Sequence, residues 1–213
     1  AAVFTLSGGK PFTYRYYKNP NAKATLALLT GGIGLSDLFY KHFARFAKDF
    51  SVLTFDYQIQ FADNGEFADA VAELLCRLKE KVWLAGQSLG GVVAQVIAFR
   101  HPEVVEGLVL SNTCSLAKDM GDEASSHLKK MMESQKKSKK LLSVLPFSLF
   151  KRLMKWVVMK KKTDGFTQRE KAVMEELCGA MLELLTKPYE YHMIDFLCDA
   201  ESYRLSGRWH RRA

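Results

Sequence analysis

The feature that most constrains this chain is Gly86-Gln87-Ser88-Leu89-Gly90, set between two apolar stretches of different character. Val82-Trp83-Leu84-Ala85 before it reads as a buried strand, and Gly91 to Phe99 after it reads as an apolar helix stopped at His101-Pro102. A G-x-S-x-G pattern in that setting demands an abrupt strand-to-helix turn, with the serine held in a strained conformation and its hydroxyl exposed. Side chains two residues before and two after the serine would collide, which accounts for Gly86 and Gly90. The helix that follows aims its positive end at the serine, favouring an oxyanion there. The pentapeptide alone is weak evidence because its residues are common; the flanking strand and helix make it specific. A glycine-rich turn without chemistry is the plainer alternative.

The rest of the first 115 residues alternates short apolar runs with helical patterns, as a mostly parallel sheet covered on both faces does. Phe4 to Leu6 and Thr13 to Tyr17 read as two strands of a hairpin-like start. Ala24 to Leu29, Val52 to Phe55 and Leu108 to Leu110 read as further core strands. After Leu29 comes Thr30-Gly31-Gly32-Ile33-Gly34, and Ser36 then offers a helix cap ahead of Leu38, Phe39, Phe43, Phe46 and Ala47 on one helical face. Phe67, Ala70, Val71, Leu74, Leu75 and Leu78 recur at helical spacing. Beyond Asn112 the pattern becomes helical throughout, with breaks near Pro146, Asp164-Gly165 and Pro188. The expected division is a core over 1–115, a helical block over 116–203 and a basic tail over 204–213.

A chain of 213 residues, 48% hydrophobic and 25% charged, suits a single domain with a sizeable core. The run from Ser88 to Phe99 is too short to span a bilayer, and Ala1-Ala2-Val3-Phe4 has no basic segment leading an apolar one, so neither reads as a span or signal peptide. Cys76, Cys114, Cys178 and Cys198 lack the paired spacing of a disulfide or zinc framework, which suits a reducing cytoplasm. The net charge of +8 is concentrated in one place: twelve Lys or Arg lie between His127 and Lys162 against a single acid, Glu133. The simplest reading of those cations is a solvated face. Attraction to an anionic membrane surface or to acidic substrates is the second reading, and membrane attraction must weaken with salt. Nucleic-acid binding is disfavoured, because no aromatic interleaving or recognised module accompanies the charge.

Taken together, Leu28-Leu29-Thr30-Gly31-Gly32, Phe55-Asp56-Tyr57, Gly86 to Gly91 and Ala98-Phe99-Arg100-His101-Pro102 leading to Gly107-Leu108-Val109-Leu110 resemble the α/β-hydrolase superfamily, in particular its lid-bearing esterase-like members. The resemblance covers roughly residues 12 to 115; Thr30-Gly31 stands where members usually carry His-Gly. It implies an α/β-hydrolase fold, Ser88 as nucleophile, and an oxyanion hole from the amides of Leu89 and Gly32, with Ile33 as the substitute if the loop register differs. It also implies a helical lid over the site, a small-molecule acyl substrate, and no metal or organic cofactor. Gly31 to Gly34 lacks the features of a P-loop or of G-x-G-x-x-G, so nucleotide binding is not indicated.

The family's chain order is nucleophile, acid, histidine, and the last two do not stand out here. Asp195 or Asp199 with His210 has that order, but the spacing to His210 leaves no room for a helix and strand between them. His192 and Asp195, three apart on one helix, read as a surface pair, His42 and His101 as structural, and Ser111-Asn112-Thr113 offers no carboxylate after the strand. The chain is therefore expected to be either a truncated hydrolase or a non-catalytic binding module on a hydrolase scaffold. Both leave the Leu108 to Leu110 edge open, which favours a homo-oligomer.

Overall fold

The computed structural model describes residues 1–116 and 121–199; the side chains of Ala124, Lys161 and Lys162 are excluded. The sequence-predicted tail over 204–213 and His210 lie outside the described residues.

Six strands form one sheet: β1 (Ala2–Thr5), β2 (Pro11–Tyr17), β3 (Thr25–Leu29), β4 (Ser51–Thr54), β5 (Val82–Gln87) and β6 (Val105–Ser111), in the order β1-β2-β4-β3-β5-β6. β1 and β2 pair antiparallel, as do β2 and β4, and the remaining neighbours are parallel. This is the mostly parallel α/β sheet that the alternating apolar runs predict. From β3 the chain moves to β4 on one side and later to β5 on the other. The C-terminal ends of β3 and β5 therefore lie side by side where strand order reverses, the place at which open α/β sheets form crevices.

Helices α1 (Tyr40–Phe46), α2 (Asn64–Cys76) and α3 (Leu89–Arg100) connect the parallel strands. Residues Leu89 through Ile97 of α3 are all buried, so that helix is enclosed around its whole circumference and, Gln95 apart, carries apolar or small residues there. Asp63 caps α2 by accepting from the Glu66 amide at 2.8 Å. The core centres on Phe12, Phe55, Tyr57, Phe61 and Phe67, with Tyr57 stacked on Phe67 at 4.7 Å between ring centroids.

The expected helix beginning at Ser36 is different in detail. Residues Ser36–Phe39 form a 3-10 turn that precedes α1, and Ser36 caps nothing. Its amide and hydroxyl instead donate to Asp56 at 2.7 and 2.6 Å. A carboxylate arriving from the end of β4 competes for the serine and wins, because two charge-assisted hydrogen bonds outweigh one cap.

Among the described residues, four helices follow β6: α4 (Asp122–Val144), α5 (Phe147–Lys162), α6 (Gln168–Leu184) and α7 (Lys187–Cys198). Pro188 sits in the first turn of α7, where its missing N–H costs nothing, so the break falls just before it. A capping box between Thr167 and Glu170 starts α6. Met193 and Phe196 of α7 belong to the main core, whereas Leu142, Phe150 and Ile194 make a second small cluster. β6 is the last strand of the sheet among the described residues, and Val109 and Leu110 on it are exposed.

Candidate active site

Ser88 occupies the junction of β5 and α3 with φ 52° and ψ −118°, a backbone conformation that L-residues rarely adopt. Holding a serine there costs about 1–3 kcal/mol, which the surrounding structure must supply. The Ser88 amide donates to the Ser111 carbonyl at 3.0 Å, and its carbonyl accepts from the amides of Gly91 and Val92 and from the Thr113 hydroxyl at 2.7 Å. Backbone and neighbours thus fix the residue while its side chain borders open space.

The glycines around it answer to two different collisions. A Cβ on Gly86 would lie 2.4 Å from the Gly90 carbonyl oxygen, as expected for a tight turn. A Cβ on Gly90 would instead lie 2.2 Å from the Leu29 carbonyl oxygen, so that glycine lets α3 pass the end of β3. Gly91 is constrained as well: its Cβ would fall 2.6 Å from the Thr113 side chain. Three glycines therefore pull the ends of β3, β5 and β6 against one helix N-terminus.

The loop after β3 stands beside the serine. A Cβ on Gly31 would be 3.3 Å from Ser88 Cβ, and one on Gly32 would be 2.9 Å from Leu197 of α7. The Gly34 amide closes a turn onto the Gly31 carbonyl at 2.8 Å, with Gly34 at φ 74°. Leu89, as the first residue of α3, has an amide with no partner inside the helix. Both sequence-predicted oxyanion residues thus border the serine's surroundings, Leu89 directly and Gly32 on the neighbouring loop.

A cleft of about 580 Å³ opens over Ser88, lined by Leu89, Val92, Asn112, Thr113 and Cys114 on the sheet side. Its opposite wall is α4, through Glu123, His127, Leu128 and Met131, and Leu197 of α7 also lines it. Gln95 holds the sheet-side wall in place: its amide donates to the Gly91 and Cys114 carbonyls and its oxygen accepts from the Leu116 amide at 2.9 Å. Burial pushes the Cys114 thiol up from its ordinary range.

Glu123 and His127 were not singled out from sequence, although a carboxylate and an imidazole four apart on a helix share one face. Among the described residues, His127 is the histidine that lines this cleft. The predicted surface pair of His192 and Asp195 is corrected. Asp195 is exposed and ion-paired with Lys139, but His192 is half-buried with its ring 4.3 Å from that of Phe196. Burial holds the His192 imidazole below its ordinary value, against the opposing pull of Asp195 and a Gln58 backbone contact. Asp199 accepts from the Asn64 amide at 3.1 Å, at the start of α2. His101 pairs with Asp69 at 2.8 Å, in the structural role expected of it.

No family model matches the chain. It is 29% identical over 115 residues to a protein of Agrobacterium fabrum named "Putative carbamate hydrolase RutD", covering 49% of this chain and 44% of that one. A Rhizobium rhizogenes protein of the same name is 30% identical over 109 residues, covering 46% and 41%. The chain thus spans less than half the length of the curated relatives it matches. Among solved structures, a carboxylesterase from Nitrososphaera gargenis superposes with TM-score 0.70 at 16% identity, covering 97% of this chain and 73% of that one. MenH from S. aureus gives 0.66 at 18% identity, with 87% and 70% covered. The fold is that of the α/β-hydrolases. An enol-lactonase from Burkholderia xenovorans, at TM-score 0.65 and 15% identity over 92% of this chain and 73% of its own, shares it. In this fold Ser88 stands, with its strained backbone, at the turn from the strand β5 into the helix α3.

Proposed function

We propose that this chain is a serine hydrolase that cleaves a carboxylic ester or related acyl substrate through Ser88. The observation that carries the reading is the backbone of Ser88, strained at φ 52° and turned toward a cleft large enough for a small acyl compound. Supporting it, the relatives and fold neighbours bear the names "Putative carbamate hydrolase RutD", carboxylesterase and enol-lactonase, all names for hydrolysis of an acyl bond.

In this reading Ser88 Oγ adds to the carbonyl carbon as its proton passes to an imidazole. The amides of Leu89 and Gly32 receive the oxyanion. The carbon–oxygen bond to the leaving alcohol then breaks, with the imidazole returning the proton to that alcohol. Water repeats the sequence on the acyl-serine, releasing the acid. This reading assigns the imidazole to His127, which lines the same cleft as Ser88 together with Glu123 one turn away. The helices after β6 act as the lid of this site, and the leucine and methionine side chains of α4 form its apolar wall.

A fluorophosphonate probe applied to the folded chain tests the reading. Ser88 is expected to be labelled and Ser88→Ala to abolish labelling. A folded chain that stays unlabelled, or whose measured function survives Ser88→Ala, would replace the enzyme with a binding module on the same scaffold. If His127 is the base, His127→Gln lowers the labelling rate by about 100-fold or more; labelling at the wild-type rate assigns the base to another group.

A further inference from the structure

Helix α5 has two faces that are both partly apolar, and the fold explains only one of them. Its inner face carries Phe147, Phe150, Met154 and Val158, which line a cavity of about 100 Å³ together with Gly32 and Ile33. On its outer face Leu149 is 46% and Trp156 57% exposed, spaced so that they share one stripe with Arg152 and Lys160. The end of α4 repeats the arrangement. Lys137, Lys140, Leu141 and Val144 fall on one helical stripe, all exposed, with Val144 at 73%.

Water-facing leucine, valine and tryptophan interleaved with cations is costly on a solvated face and favourable at a lipid headgroup layer. There the apolar groups reach the acyl boundary while lysine and arginine stems extend to phosphates. Few of these cations are neutralised internally: Lys139 pairs with Asp195 and Lys155 with Glu175, whereas Lys137, Lys140, Arg152 and Lys160 face no carboxylate within 4 Å among the described residues. The Lys160 ammonium lies 4.9 Å over the Trp156 ring, so charge and aromatic surface form one unit. No described helix is long and apolar enough to cross a membrane, which limits the contact to the surface. A polyanion such as nucleic acid would satisfy the cations but leave Leu149, Val144 and Trp156 wet.

We propose that the outer faces of α4 and α5 dock on anionic phospholipid bilayers, with Leu149 and Trp156 seated at headgroup level. The attraction is independent of the chemistry at Ser88, and it places the cavity behind α5 next to the membrane.

The full chain is tested by co-sedimentation with vesicles of phosphatidylcholine alone and of phosphatidylcholine containing phosphatidylserine. Binding is expected to the second and not the first, weakening as ionic strength rises past about 0.1 M. Joint reversal of Lys137, Lys140, Arg152 and Lys160 to Glu should weaken it by about 100-fold or more. Leu149→Ser with Trp156→Ser, checked for unchanged helicity by circular dichroism, should weaken it by about tenfold while net charge is kept. The proposal is overturned by failure to bind phosphatidylserine vesicles at low salt. It is equally overturned if the charge reversal leaves binding unchanged, or if the Leu149 and Trp156 variant binds like the wild type, which would reduce the surface to a plain polyanion site.

Discussion

The Tyr57 hydroxyl donates to the Thr30 carbonyl at 3.2 Å, and the Tyr57 amide donates to the Gly34 carbonyl at 2.9 Å. Tyr57, three residues beyond the end of β4, therefore ties down both ends of the glycine loop beside Ser88. Tyr57 is itself immobilised, 1% exposed and stacked on Phe67. Under the proposed function, donors held in advance stabilise an oxyanion without reorganising during attack, and this latch is then a positioning device for the loop.

Tyr57→Phe keeps the ring packing and deletes the bond to Thr30. Stability should fall by about 1 kcal/mol, leaving the protein folded, while labelling of Ser88 by a fluorophosphonate slows further than the folded fraction can account for. Urea denaturation and the labelling rate, measured on the same samples, separate the two effects. Labelling at the wild-type rate would show that the loop needs no latch.

The strain at Ser88 has a thermodynamic signature apart from any activity. Ser88→Gly lets the backbone adopt φ 52° freely, whereas Ser88→Ala retains the penalty. The glycine variant should be more stable than the alanine variant by about 1 kcal/mol or more in chemical denaturation. Equal stabilities would mean that the elbow stores no strain.

Glu190 lines the cavity behind α5, and burial raises its carboxyl above the ordinary range. A raised folded-state value makes its contribution to stability complete at low pH and progressively lost as pH rises through that value. Glu190→Gln removes the cost of an ionised, half-buried carboxylate. Its melting temperature should exceed the wild type's at neutral pH, with the gap closing toward pH about 4. A gap that is constant across pH, or that widens in acid, would contradict this assignment.

Local pattern carried much of the fold. Buried strands announce themselves as apolar runs, and the strand–serine–helix sequence around Ser88 needs its glycines because backbone clashes at such a turn are short-range. Gly90 was legible as glycine but not for its full reason, since the carbonyl it avoids belongs to Leu29, far away in sequence. Ser36 was misread for a related cause: its competing acceptor, Asp56, arrives through the pairing of β3 with β4.

The sequence by itself determined the elbow, the order of strands and helices, and the concentration of cations after His127, all properties of residues close together in the chain. Only the tertiary structure decided what faces Ser88. Packing α4 against α7 accompanies the arrival of Glu123 and His127 at its cleft, and packing α7 into the core turns His192 inward beside Phe196. Those outcomes depend on which helix faces find apolar partners, and no spacing rule within a single helix specifies its partner.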